Sequence, residues 1–406
     1  GPLPDDFPPL TWNGGAPEEM APGYTLFNVM DWKHVLSFGL LLVVDSKGEV
    51  VWYHRSSQPL VQAMRSSEGT ILSTIGENDG IIEVDMLGNL LEQWLPAEMG
   101  LDGLHHALTQ TPDGHIVGLS SELRSLGGYP DGDGDITHQV VGDVIVEFTR
   151  DGEITHKWSL LDVLDPFHHN PAFDLPFWTP LYPDAGSPPK DWSHGNSVQF
   201  DASDDSYVVS LANTDQVVKL DRATGAAVWV LGSQGDFTLD AGGTWFSYPH
   251  GPELSADHKV LLYDDGVYKE SRRSRLVEYS LAFDPAGAGG VATESWSWDG
   301  GAEPFYCFSP ADVDRLENGN LLVLHGSLVG DPGSPPLGSK NPLSVRLEEL
   351  TPDDPGHPVF SLTIGHPEDA SLGRYTSFAA ARIPRLYPDA WVITDAGPPV
   401  EPPVPC

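Results

Sequence analysis

The stretch from Asp191 to Gly266 reads DWSHGNSVQFDASDDSYVVSLANTDQVVKLDRATGAAVWVLGSQGDFTLDAGGTWFSYPHGPELSADHKVLLYDDG. It holds one strand–turn–strand cycle and the start of the next. Each cycle opens with a histidine just before its first apolar run, His194 and then His250. Histidines at the same place in successive units converge on one point if those units stand around an axis.

Two kinds of half-unit alternate through the rest of the chain. One is an apolar strand, a polar-Gly turn and a strand ending in an aromatic or aliphatic residue. It recurs as LLVVDSKGEVVWYH from Leu41, IIEVDMLGNLLEQW from Ile81, VIVEFTRDGEITHKW from Val144 and VVKLDRATGAAVWVLG from Val217, then in longer forms from Leu276 and Arg346. The other is a short strand, a PDG- or ENGN-type turn and a second strand. It recurs as RSSEGTILST from Arg65, TQTPDGHIVGLS from Thr109, QFDASDDSYVVSL from Gln199, ELSADHKVLLYDDG from Glu253 and RLENGNLLVLHG from Arg315, with a less regular copy, ARIPRLYPDAWVITDAG, from Ala381. Asp-Gly and Asn-Gly turns tolerate positive φ and suit tight hairpins. Each pair of halves therefore makes a four-stranded antiparallel blade, and six such blades around an axis bury the faces that a lone sheet leaves open. The expectation is an all-β, six-bladed β-propeller. A β-sandwich would share the strand content but not the regular alternation of two turn types.

The propeller is expected over residues 24–397, between an amino-terminal extension (1–23) and a Pro-rich tail (398–406). The chain enters in the second half of a blade and ends in a first half, so the terminal segments are expected to share one blade, two strands each. Two connections break the rhythm, 122–141 and the Pro- and aromatic-rich 161–191. Long insertions in compact domains tend to be lids or binding loops.

Composition agrees with this reading. The 406 residues include 43 Gly and 37 Pro, a density of turn residues that excludes long helices. The 12 Trp and 40% hydrophobic content supply a core. No stretch reaches the roughly 20 apolar residues of a membrane helix. A formal charge of −38 excludes nucleic acid as a partner, because such binding needs Lys and Arg to neutralise phosphates. Of the two cysteines, Cys307 and Cys406, the second ends the Pro-rich tail and is expected to add nothing to the fold. The opening GPLP reads as a protease scar, after removal of any leader.

In a propeller the innermost strand of each blade lines the channel and begins near one mouth. His105–His106, His194 and His250 occupy that position in three blades. His168 and His169 sit in the aromatic insertion, His325 reads as structural, and the remaining histidines, His115 and His156 among them, read as solvated.

Here the sequence resembles the PAPS-independent bacterial arylsulfotransferases, from about Tyr24 to Gly326. HHALTQTPDGHIV is similar to that family's His-His-Asp segment before a Pro-Asn-Gly turn, and DWSHGNSVQFD to its Asp-Trp-x-His-x-Asn-Ser segment. VVSLANTDQVVKLDRATGAAVWVLG resembles its Arg-Asn segment leading to Trp-x-Leu-Gly, and FSYPHGPELSADHKVLLYDDG its histidine strand ending in Asp-Asn-Gly. The resemblance implies a six-bladed propeller that carries a sulfuryl group on histidine in a ping-pong cycle, in a periplasmic or secreted protein that needs no cofactor. It makes His250 the nucleophile, with His106 and His194 binding the sulfuryl oxygens and moving the phenol proton. His105, Asn196, Tyr248, His169 and Trp178 are then expected to contact a small aromatic substrate. The sequence departs from the family where a sulfuryl-binding arginine is replaced by Ala212, and where Ala107 follows the histidine pair in place of aspartate. The amino-terminal β-sandwich of some members is also expected to be absent. Arg65, Arg346, Arg374 or Arg382 would have to stand in for the missing arginine.

Two other readings compete. His106, His194 and His250, with His105, His169 or a water as a fourth ligand, suit Zn, Fe or Cu, giving a metal-dependent hydrolase, lyase or oxygenase on an aromatic or apolar substrate. The third reading is a non-catalytic binding propeller with structural histidines.

Overall fold

The computed structural model describes residues 3–31, 39–129, 136–168, 177–186, 188–267, 269–285, 287–333 and 341–387. These form six antiparallel sheets arranged as a six-bladed β-propeller, as the repeat predicts. The innermost strands of blades two to six are Met64–Arg65, His105–Gln110, Gly195–Asp201, Pro249–Leu254 and Ala311–Arg315.

Burial explains the residue choice along each blade. Middle strands lie between neighbouring blades and are covered on both faces, so Gly39–Val44 (GLLLVV) is apolar and buried throughout. Outer strands have one open face and alternate, as in Val50–Ser56 (VVWYHRS). The turns use Asp and Gly as expected. In the Asp45–Glu49 turn, Oδ1 of Asp45 accepts the Lys47 and Glu49 N–H groups, and Gly48 takes φ +73°.

The core is a ring of six inter-blade clusters. Phe27, Leu40 and Leu42 of the first blade pack on Leu324, Leu347 and Phe360 of the sixth, and each other pair of neighbours has an equivalent cluster. Each buried large aliphatic side chain contributes about 1.5–3 kcal/mol, so an open ring would expose two such faces at once.

Closure differs from the expected two-plus-two division. Tyr24–Asp31 supplies the second strand of the first blade, pairing with Gly39–Val44 on one side and with Ala380–Ile383 on the other. The carboxy-terminal segment thus gives the inner strand and the amino-terminal segment the other three. The place that a strand after Ala380–Ile383 would have taken is already filled; residues 388–397 lie outside the described residues. Part of the expected extension is also built into the ring. Leu10–Gly15 pairs with Phe360–Ile364 as a fifth, outermost strand of the sixth blade. The region 122–141 is not a free loop either. Ile116–Gly127 and Thr137–Phe148 stay in register out to Gly127↔Thr137, as one long hairpin.

Candidate active site

Three inner strands carry the histidines, and each ladder shifts register near its histidine end: at Gly118/Leu119 opposite His105, at Gly195/Ser197, and at His250/Glu253. Such bulges re-aim side chains. His106 and His194 also take left-handed backbone angles, φ 51° and 48°, which costs a non-glycine residue of order 1 kcal/mol and is common at functional sites.

These bends bring the side chains together. The rings of His106 and His194 lie 5.0 Å apart. Tyr248 lies 6.1 Å from His194 and 5.6 Å from His250, and Phe378, just before the closing strand, lies 5.5 Å from His106 and 6.2 Å from His250. His194 and His250 are buried and His106 is half-buried. A cavity of about 290 Å³ runs below, lined from all six blades and including His250, Asn196, Asp312 and Phe378.

A carboxylate also stands behind each of three histidines. Nδ1 of His194 lies 2.7 Å from Oδ2 of Asp191, whose Oδ1 accepts the Trp178 indole N–H at 2.7 Å. Nε2 of His105 lies 3.3 Å from Oδ1 of Asp143, and its Nδ1 lies 2.8 Å from Nδ1 of His106. Nδ1 of His250 lies 2.9 Å from Oδ2 of Asp265. None of these carboxylates was marked as functional by sequence reasoning. The doubled acid of YDDG and the Asp three residues before His194 were the available signals.

These environments drive neighbouring groups apart. Burial, and then the charges of His105, His194 and His250, push His106 well below the ordinary imidazole value. Burial would also lower His194, but the charge and hydrogen bond of Asp191, with the charge of Asp143, outweigh it and raise the value. Two imidazoles with proton affinities shifted in opposite directions thus stand side by side, the pattern that separates base from acid.

Other predicted residues fall in different places. Trp178 is buried behind His194, its N–H engaged by Asp191, while the neighbouring Phe177 reaches both His106 and His194, with ring separations of 5.6 and 5.0 Å. The amide of Asn196 donates to the Pro249 carbonyl at 2.9 Å and accepts from Ser210, so it braces the strand that carries His250. Tyr248 fills the gap between two histidines. His169 lies outside the described residues; His168 has Nε2 3.1 Å from the Thr214 carbonyl. His325 is structural, between Tyr263 and Glu348. His115 and His156 are not simply solvated: both approach the buried carboxylate of Glu147.

The four candidate replacement arginines are engaged elsewhere. Arg65 meets Met86, Arg346 approaches Glu348, Arg374 donates to the Asn341 carbonyl, and Arg382 pairs with Glu349. No Lys or Arg is among the described residues lining the cavity. Among the described residues, the trio spaced to hold one ion is Asp113, His115 and Glu147, not the histidine cluster. Arg222 already occupies that trio, donating to both carboxylates.

A sequence profile of the arylsulfotransferase (ASST) family matches residues 14–356. Arylsulfate sulfotransferase AssT of Escherichia coli is 23% identical over 384 residues, covering 76% of this chain, and the chain spans 61% of that relative's length. Solved structures that resemble the fold include a protein of unknown function from Bacteroides caccae (15% identity, TM-score 0.48, covering 84% of this chain and 94% of that one). Another is a catalytically inactive virginiamycin B lyase from Staphylococcus aureus with quinupristin (10% identity, TM-score 0.38, covering 88% and 99%). No helix among the described residues is long and apolar enough to cross a membrane.

Proposed function

This chain belongs to the arylsulfotransferase family, and from that premise we propose that it moves a sulfuryl group from an aryl sulfate to a phenol through His250, in the periplasm or outside the cell. The observation that carries the reading is the convergence of His106, His194 and His250 from three blades, the first two in ring contact and His250 joined to them through Tyr248 and Phe378, with the proton affinities of His106 and His194 shifted in opposite directions.

The Nε2 lone pair of His250 attacks sulfur, and the bond from sulfur to the aryl oxygen breaks with its electron pair going to the phenolate. The His194 imidazolium gives that oxygen a proton. It also supplies positive charge beside the sulfuryl oxygens, next to a cavity whose described lining contains no Lys or Arg. In the second half-cycle an acceptor phenol loses its proton to a neutral imidazole, His106 or the now deprotonated His194. Its oxygen attacks sulfur, and the S–N pair returns to Nε2. Splitting one displacement into two lowers each barrier, and prearranged donors at the developing charge add several kcal/mol. Phe177, Phe378 and Tyr248 line the approach with aromatic surface, which suits a planar substrate.

Incubation with p-nitrophenyl sulfate and phenol should release p-nitrophenol. Without acceptor, mass spectrometry should find one sulfuryl adduct, on His250. His250→Ala should lose at least about a thousandfold in kcat. Turnover with the adduct on another residue would refute the assignment.

A further inference from the structure

Two adjacent acids, Asp264 and Asp265, close the second strand of the fifth blade and are both fully buried, yet their surroundings differ. Asp264 is saturated: it accepts from the Ser247 N–H at 2.9 Å, from Arg275 at 2.7 Å and from Lys269 at 2.5 Å. Neither carboxylate oxygen of Asp265 has a well-aligned hydrogen bond, and Nδ1 of His250 has none either. The two groups nonetheless stand 2.9 Å apart. Catalytic hydrogen bonds are often misaligned before substrate binds. A buried carboxylate with no cation and no backbone donor is costly and calls for an explanation.

Among the described residues, its neighbours offer no other partner. The charge of Asp265 acts on the Tyr248, Tyr263 and Tyr306 phenols and on the Cys307 thiol, helping to push each upward after burial. The Asp264 charge in turn works against ionisation of Asp265. Among the described residues, His250 is the group whose charge favours it.

We propose that Asp265 is a positioning residue that keeps the His250 proton on Nδ1, presents Nε2 to the cavity as the nucleophilic lone pair, and balances the positive charge of the ring once Nε2 carries the sulfuryl group. This rests on the sulfotransfer reading above. As the N–S bond forms and the S–O pair leaves with the phenolate, the ring keeps its Nδ1 proton and becomes cationic. The proton is held by Asp265 and is not transferred to it, and when sulfur leaves, the ring returns to neutral. Burial pushes the Asp265 carboxyl up to about 7, with His250 partly opposing. The ionised form that serves His250 is therefore gained as pH rises through about 7.

The test compares wild-type protein and Asp265→Asn with p-nitrophenyl sulfate across pH, alongside ¹⁵N NMR of the His250 ring. The amide still offers an acceptor to Nδ1 but no charge. Expected are a kcat lower by about 10–100-fold, the range seen when a carboxylate behind a functional histidine is altered, little change in KM, and loss of the acid limb near pH 7. NMR of the substrate-free wild type should place the proton on Nδ1. A variant with wild-type kcat and pH profile overturns the proposal while leaving sulfotransfer intact. A wild type inactive on aryl sulfates refutes the sulfotransfer reading, and the ring tautomer then decides Asp265 alone. Should the variant not fold, a wild-type proton on Nε2 overturns the proposal.

Discussion

Two clusters in this molecule combine buried carboxylates with histidines, and they behave in opposite ways. Between the third and fourth blades, Glu147 is buried among His115, Tyr207 and Arg222, and Arg222 also reaches Asp113 and Asp205. At the channel mouth, Asp143, Asp191 and Asp265 stand behind His105, His194 and His250. Burial would raise Glu147, but hydrogen bonds from Arg222, Tyr207 and His115, with the Arg222 charge, bring it down to about 2. Asp265, with only an imidazole to answer it, goes up to about 7. The guanidinium makes the difference. Where it is present, every charge is fixed and the cluster holds two blades together. Where imidazoles take its place, protons can move near neutral pH. Ligand spacing alone picks out the first cluster, yet its chemistry is already complete.

The largest effect that would break this contrast is on stability. Arg222→Ala leaves Glu147 buried without its cation and should cost about 3 kcal/mol, measured by denaturant unfolding, with kcat on an aryl sulfate unchanged. The pH dependence has a definite sign. The folded Glu147 value lies below its ordinary 4.5, so its contribution is present above that value and is lost as pH falls toward about 2. Wild type should therefore lose stability across that window, and the variant should lose less. An equal acid loss in both would mean that Arg222 is not what holds Glu147 down.

An intermediate effect concerns the active cluster. Asp191→Asn keeps one acceptor oxygen in place of two and removes the charge, leaving burial to lower His194 against the Asp143 charge alone. The imidazolium that protonates the leaving phenolate would then be lost at lower pH. The alkaline limb of kcat should shift to the acid side, with about a tenfold drop at neutral pH. In wild type, the raised His194 value means its contribution to stability is full below the ordinary 6.5 and is lost as pH rises through the folded value. A pH–rate profile unmoved by the substitution would remove His194 from the proton path.

The channel ends of three inner strands were legible because the repeat sets His106, His194 and His250 at equivalent points, and closure of the ring does the rest. Their carboxylates were not. Asp143 reaches the start of the fourth blade, accepting from the Gly195 N–H, a contact that local spacing does not announce. Gly195 itself is required there, since a Cβ would fall 2.9 Å from the Asp143 carboxyl carbon. The closing arrangement was misread for a similar reason. Tyr24–Asp31 precedes the first turn signature, so its eight residues carried no repeat mark, although Leu26, Phe27 and Val29 are as buried as any strand interior. Gly-rich and acidic text disguised the long hairpin ending at Gly127 and Thr137, because such residues suit an exposed ladder as well as a loop.

The smallest expected effect separates the wall of the site from its chemistry. Phe177 is half-buried and meets two histidine rings, whereas its neighbour Trp178 is fully committed to Asp191. Both belong to the aromatic insertion, so the pair tests whether that segment shapes binding, proton placement or both. Phe177→Ala removes an aromatic face that a phenyl ring could share, worth about 0.5–1.5 kcal/mol, or roughly 2–10-fold in KM. Uniform loss of binding leaves kcat unchanged. Trp178→Phe keeps the bulk but deletes the N–H donor to Asp191. It should act through His194, shifting the alkaline limb of kcat with KM nearly constant. Opposite signatures from adjacent residues would show that one insertion serves the substrate on one side and the acid on the other. A shared KM effect would place Trp178 at the substrate and weaken the role assigned to Asp191.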